Sequence, residues 1–187
     1  FIILNVIVYL DLVEFFYYPS MMSVCLSASS ILYKRQWLRL LLSPFYHGDD
    51  FHLYYNMSSF SIKGRTLEKR FGSGYFLFLL IVFTISCGLV YVGIEYAAYT
   101  LLSSSRYSSS TSIFDSFLNH RNDAYLDACA IGFSGVIFAL KVLTTHYLPS
   151  GTVYALNGTI PMPSKYVYWI ELITISLISP NVSFAGH

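Results

Sequence analysis

The chain has little charge. Asp, Glu, Lys and Arg make up 11% of its 187 residues, against 55% hydrophobic and 18% aromatic residues. Soluble domains normally carry about a quarter charged residues, and a surface this apolar would aggregate in water. The scarcity excludes an ordinary soluble domain and makes the lipid bilayer the expected solvent and contact. An excess of one charge sign is missing too: 11 basic and 10 acidic residues leave a net charge of +1. With no basic face and no RNA-binding motif, no nucleic-acid partner is expected. Cysteine is sparse. Cys25, Cys87 and Cys129 are far apart and form no C-x-x-C, which supports neither a disulfide framework nor a zinc site. Cys87 reads as helix packing, and the other two are left open. The H-E-x-x-H pattern is also absent, and the carboxylates of His47-Gly48-Asp49-Asp50-Phe51-His52 fall in a turn, so no metal or cofactor is expected.

What is present is a series of apolar segments. Residues 1–10 are apolar apart from Asn5 and read as the tail of a first membrane helix. Residues 20–30 are small and polar, and 31–46 mix Lys34, Arg35, Arg39 and Trp37 with leucines, as an amphipathic loop at the interface does. A modestly apolar helix follows over 52–63, with His52, Asn56 and several hydroxyls. Polar groups at membrane depth face a protein interior or a cavity, so this helix should line something. Lys63, Arg65, Lys69 and Arg70 then form the densest basic cluster, which the positive-inside rule makes a cytosolic connection. Residues 75–94 are an uncharged span. Residues 101–127 are Ser-rich and read as an exposed loop on the luminal or extracellular side. The next span runs from about 127 to 147, with Lys141 toward its cytosolic end. Residues 150–163 read as a turn, and a fifth apolar segment, 166–179, contains Trp169 and Glu171. The sequons at Asn56, Asn157 and Asn181 fall within a span, on the cytosolic side and close to the membrane, so none is expected to carry glycan. The reading is an all-α, polytopic membrane helix bundle in one domain, 1–187, a fragment whose first and last helices are truncated.

One segment could carry chemistry. Gly132-Phe133-Ser134-Gly135 sets a hydroxyl between glycines in apolar surroundings. Small residues suit close helix packing as well as a reacting group that other backbones must approach. A soluble hydrolase's G-x-S-x-G elbow is ruled out, since Val136 stands where the second glycine belongs. Ser134 would need a base. His146 lies twelve residues further along the same helix, roughly 18 Å away at about 1.5 Å per residue, and cannot reach. His120 belongs to the Ser-rich loop. His52 and Asn56 stand at i and i+4 on one helix face, where both can donate to an oxygen that develops charge. A His-Asn pair satisfying itself in the bundle is the structural alternative. That makes His187, flanked by Ala185 and Gly186, the preferred base, with His52 the other choice.

Trp37, Arg39, His47, His52, Asn56, the run Leu67-Glu68-Lys69-Arg70-Phe71-Gly72-Ser73, the Ser134 motif and Ala185-Gly186-His187 together resemble the rhomboid family of intramembrane serine proteases. The resemblance implies a six-helix core and a dyad of Ser134 and His187 with no acidic third member. It implies an oxyanion site of His52, Asn56 and the Ser134 backbone N–H. Substrates would be membrane-anchored proteins entering past the fifth helix, with Tyr55 and Trp169 at a gate, while Glu68 and Arg70 would be structural. The branch it most resembles resides in the endoplasmic reticulum and works with degradation machinery through a tail absent here. The rival within the family is a catalytically inactive relative that binds membrane clients for retention or degradation. A small transporter is the third class, for which Glu171 is the one reasonable carboxylate.

Overall fold

The computed structural model describes residues 1–12, 19–104, 126–147, 152–155 and 160–163, with positions 166, 169, 170 and 173. The described residues are mostly helical. Helix α1 (Ile2–Tyr9) is followed by three short helices, α2 (Met21–Val24), α3 (Ala28–Leu32) and α4 (Arg39–Leu42), and by a 3-10 turn at Ser43–Phe45. Together the short helices make up the first loop, in keeping with its mixed composition.

Helix α5 (Asp50–Phe71) starts where the Asp49 carboxylate accepts the His52 backbone N–H at 2.7 Å, and it stops at Gly72. Asp49 thus serves as a helix cap. The basic residues Lys63 to Arg70, expected in a connection, are the last turns of this helix, where cations complement its C-terminal carbonyls. Helix α6 (Ser73–Ser104) outruns the expected span at both ends, and its stretch Ser73–Leu101 is long and apolar enough to cross a membrane. Leu77, Phe78, Ile81, Leu89, Val90 and Ile94 lie exposed along it, as lipid-facing residues would.

Helix α7 is Ser134–Tyr147. It begins at Ser134 itself, whereas the sequence placed the start near residue 127 with the serine in the first turns. The helix does not run on unbroken from residue 127, because Ala130 pairs with the first loop: Leu26 and Ala130 exchange backbone hydrogen bonds of 2.8 Å. A second departure from the all-α reading is an antiparallel hairpin, β1 (Thr152–Ala155) with β2 (Ile160–Pro163), within the stretch read as a plain turn. The β-branched Thr152 and Val153 and the aromatic Tyr154 favour a strand there. In the fifth apolar segment, positions 166, 169, 170 and 173 are helical.

Two apolar clusters hold these elements together. Met57, Phe60 and Leu67 of α5 meet Phe76 and Leu80 of α6 and Phe133, Val136, Ile137 and Leu140 at the start of α7. The second cluster joins Leu26, Ala28, Ile31 and Leu40 of the first loop to Tyr91 and Val92 of α6. The first loop therefore packs toward the end of α6 remote from the basic turns of α5. Gly88 permits this contact, because a Cβ there would come within 2.6 Å of the Leu40 Cδ2.

Candidate active site

Ser134 is buried, 6% exposed, and its backbone N–H is the first of α7. Such N–H groups have no partner within their own helix and point toward whatever lies at its N-terminus. The chain reaches Ser134 through a strap, residues 126–133, tied to its surroundings almost residue by residue. The Ser29 hydroxyl donates to Asp127 at 2.6 Å, and the Tyr91 hydroxyl donates to the Ala128 carbonyl at 3.0 Å. Cys129 is disulfide-bonded to Cys25. Ala130 pairs with Leu26, and the Gly132 N–H donates to the Ser43 carbonyl at 3.0 Å.

The disulfide corrects the sequence reading, which found no framework in three scattered cysteines. Its halves are 104 residues apart in the chain with Cα atoms 5.5 Å apart, a juxtaposition that spacing could not reveal. Cys87 behaves as expected of a packing residue: its thiol donates to the Gly135 carbonyl at 3.7 Å, where α6 crosses α7.

His52 and Asn56 lie on the α5 face turned toward the strap. Their meeting point is Gly132, whose φ of +104° is in the region that favours glycine. A Cβ there would sit 2.6 Å from Cε1 and 2.8 Å from Nε2 of His52, and 3.6 Å from Nδ2 of Asn56. The structure thus brings His52, Asn56 and the approach to Ser134 together. Asn56 is 1% exposed, and its Nδ2 has no hydrogen-bond partner among the described residues. A buried amide donor of this kind is suited to an oxygen arriving from outside the fold.

His47 packs behind His52, ring edge to face with centroids 5.1 Å apart. Burial, and then the neighbouring His52, lower its pKa to about 4. His47 is therefore a neutral ring at ordinary pH.

Ser134, Gly132 and His52 open onto a cavity of about 390 Å³. Its far wall includes Met21, Met22, Leu40, Cys87 and both cysteines of the disulfide. The volume suits one or two side chains of a polypeptide. Among the other expected site residues, Tyr55 lies half-buried with the Lys141 ammonium 5.4 Å from its ring centroid. Trp169 is 53% exposed. His146 sits in the last turn of α7, remote from Ser134 as helix geometry requires. The preferred base, His187, lies outside the described residues, as do His120 and Glu171.

Sequence reasoning missed the strap and the disulfide. One signal pointed to the first of these: a glycine two residues ahead of the serine, where a sharp turn into a helix needs one.

Residues 34–187 match the family model described as Rhomboid domain. The chain is 41% identical over 165 residues, 88% of its length, to human "Rhomboid-related protein 4", and 40% identical over 163 residues to the mouse protein of that name. It is 39% identical over 150 residues, 80% of its length, to "Rhomboid-like protein 14, mitochondrial" of Arabidopsis thaliana. These matches cover 46%, 45% and 39% of the three relatives, so the chain spans less than half the length of the curated proteins it resembles. No solved structure matches it.

Proposed function

The chain belongs to the rhomboid family, whose members are integral membrane proteins, and from that premise we propose that it is an intramembrane serine endopeptidase cleaving transmembrane or membrane-anchored proteins. The observation that carries the reading is the convergence on Gly132. His52 and Ser134, the first residue of α7, line one cavity with Gly132, and the buried amide donor of Asn56 lies beside Gly132 next to the imidazole.

In this proposal His187 takes the proton of the Ser134 hydroxyl as its oxygen attacks the scissile carbonyl. The carbonyl oxygen becomes an oxyanion, held by the Ser134 N–H, Asn56 and His52. His187 then returns the proton to the leaving amine, and a water activated by the same imidazole hydrolyses the acyl-enzyme. Substrate enters past the fifth helix, with Tyr55 and Trp169 at the gate. In this proposal Ser134, buried among apolar residues at the first position of α7, lies within the membrane. That depth suits substrates that are themselves embedded.

The proposed location is the endoplasmic reticulum membrane, with a role in membrane-protein quality control through degradation machinery. Support comes from the 41% identity to human rhomboid-related protein 4 and from a disulfide, a bond that persists in oxidising compartments. The plant relative's name, "Rhomboid-like protein 14, mitochondrial", supplies the competing address, and imaging of the full-length protein against markers of both membranes decides between them.

The activity test expresses the full-length protein with a tagged single-span substrate, as wild type, Ser134→Ala and His187→Ala. Cleavage by wild type alone supports the reading. Equal cleavage by all three overturns it. Client binding without cleavage in every version assigns the chain to the inactive, client-binding class.

A further inference from the structure

We propose that the Cys25–Cys129 disulfide is a thiol-exchange site that governs Ser134, so that a dithiol reductant switches the site off and an oxidant restores it. The inference rests on the protease reading for its consequence and on geometry for its mechanism. Cys129 is the central tie of the strap, with Ser29–Asp127 and Tyr91–Ala128 on one side and Leu26–Ala130 and Ser43–Gly132 on the other. The other ties are hydrogen bonds, each worth about 0.5–1.5 kcal/mol and more where charge assists. The disulfide is the one covalent tie among the described residues, and it also walls the cavity that Ser134 faces.

The two sulfurs sit unequally. Cys129 belongs to an exposed residue of the strap, whereas Cys25 is 4% exposed. A reductant's thiolate therefore attacks the Cys129 sulfur. The Cys25 sulfur leaves with the bonding electrons and is protonated. The reductant's second thiol then attacks the mixed disulfide, releasing the Cys129 thiol and carrying away the oxidised dithiol. Both cysteines lie in segments packed toward the end of α6 remote from the basic turns of α5, and that basic end belongs on the cytosolic side. The bond is thus exposed to the non-cytosolic thiol pool, whose poise can vary around it.

The consequence for the site follows from the strap's length. Cys129 is three residues from Gly132, which packs against the His52 ring and lies two residues ahead of Ser134. Freed of the covalent tie, the strap keeps its hydrogen bonds but gains play of a fraction of an ångström or more. Displacements approaching 1 Å cost on the order of 100-fold where reacting groups must be aligned.

The test holds the full-length protein in proteoliposomes across a series of reduced and oxidised dithiothreitol mixtures. Two quantities are read at each point: the Cys25–Cys129 redox state, by mass shift on maleimide addition, and the labelling rate of Ser134 by a fluorophosphonate probe. Labelling is expected to fall about tenfold with the midpoint of the disulfide and to recover on reoxidation. The double variant Cys25→Ser, Cys129→Ser should stay slow at every poise, and Cys87→Ser should retain the response. Constant labelling while the disulfide passes from oxidised to reduced overturns the proposal, and so does a redox response in the double variant. Hydrogen exchange of residues 126–133 is followed in parallel and does not depend on protease activity. Absent labelling with strap exchange that rises on reduction discards the protease reading and keeps the exchange site. Strap exchange indifferent to reduction discards the switch.

Discussion

Gly132 lies against His52 so closely that a single added carbon would stand 2.6 Å from the imidazole Cε1. The contact joins the two halves of the candidate site, since Gly132 leads into Ser134 and His52 precedes Asn56 by one turn of α5.

Gly132→Ala should therefore uncouple those halves. The methyl meets the His52 ring, and a φ of +104° is strained for any side chain. The strain costs about 1–3 kcal/mol, and misalignment should lower fluorophosphonate labelling of Ser134 about 100-fold. Near-normal labelling would show that His52 yields without consequence.

Asn56→Ala removes a buried donor that has no hydrogen-bond partner among the described residues. If Asn56 binds the oxyanion, kcat should fall about 100- to 1,000-fold with KM essentially unchanged, because the donor acts where charge develops. A KM change with constant kcat would make Asn56 a ground-state binding residue instead.

Acid should destabilise the protein through His47. Its pKa is about 4 in the folded chain against 6.5 ordinarily, so between those values the unfolded chain binds a proton that the folded chain excludes. Stability is fully present above pH 6.5 and declines as pH falls toward 4, by about 3 kcal/mol in total. Thermal unfolding in detergent across this range measures the decline, and His47→Gln should flatten it. An unchanged slope in the variant would place the titrating group elsewhere.

Gly88→Val tests the seat of the first loop. A Cβ at Gly88 comes within 2.6 Å of Leu40 and 3.3 Å of Leu26, whereas one at Gly93 meets nothing within 4 Å. The valine should cost about 1–3 kcal/mol by overpacking, visible as a lower Tm, while Gly93→Ala should leave Tm unchanged or slightly raised. Equal Tm values for the two variants would mean that the loop is free to shift.

Much of the helical frame was legible because its signals are local. The apolar run at 75–94 requires a long helix in lipid, and His52 and Asn56 at i and i+4 must share a helix face. Boundaries were less legible. Lys63 to Arg70 read as a connection because charge resembles a loop, yet good helix formers carried α5 to Gly72. The start of α7 was placed too early because apolar residues such as Ile131 and Phe133 continue its pattern upstream, where the pairing of Ala130 with the first loop interrupts the helix.

The sequence by itself determined the solvent of this chain, its long central helix, the serine between glycines and the histidine and asparagine one turn apart. Each follows from composition or from a spacing of a few residues. Only the tertiary structure decided what meets Gly132, which cysteines join and what pins the strap ahead of Ser134. Those contacts link residues up to 104 positions apart, and no period or motif within either segment encodes the distance between them. The Gly132–His52 contact belongs to this second group: the glycine was visible in the sequence, but its partner was fixed by how α5 packs against the strap.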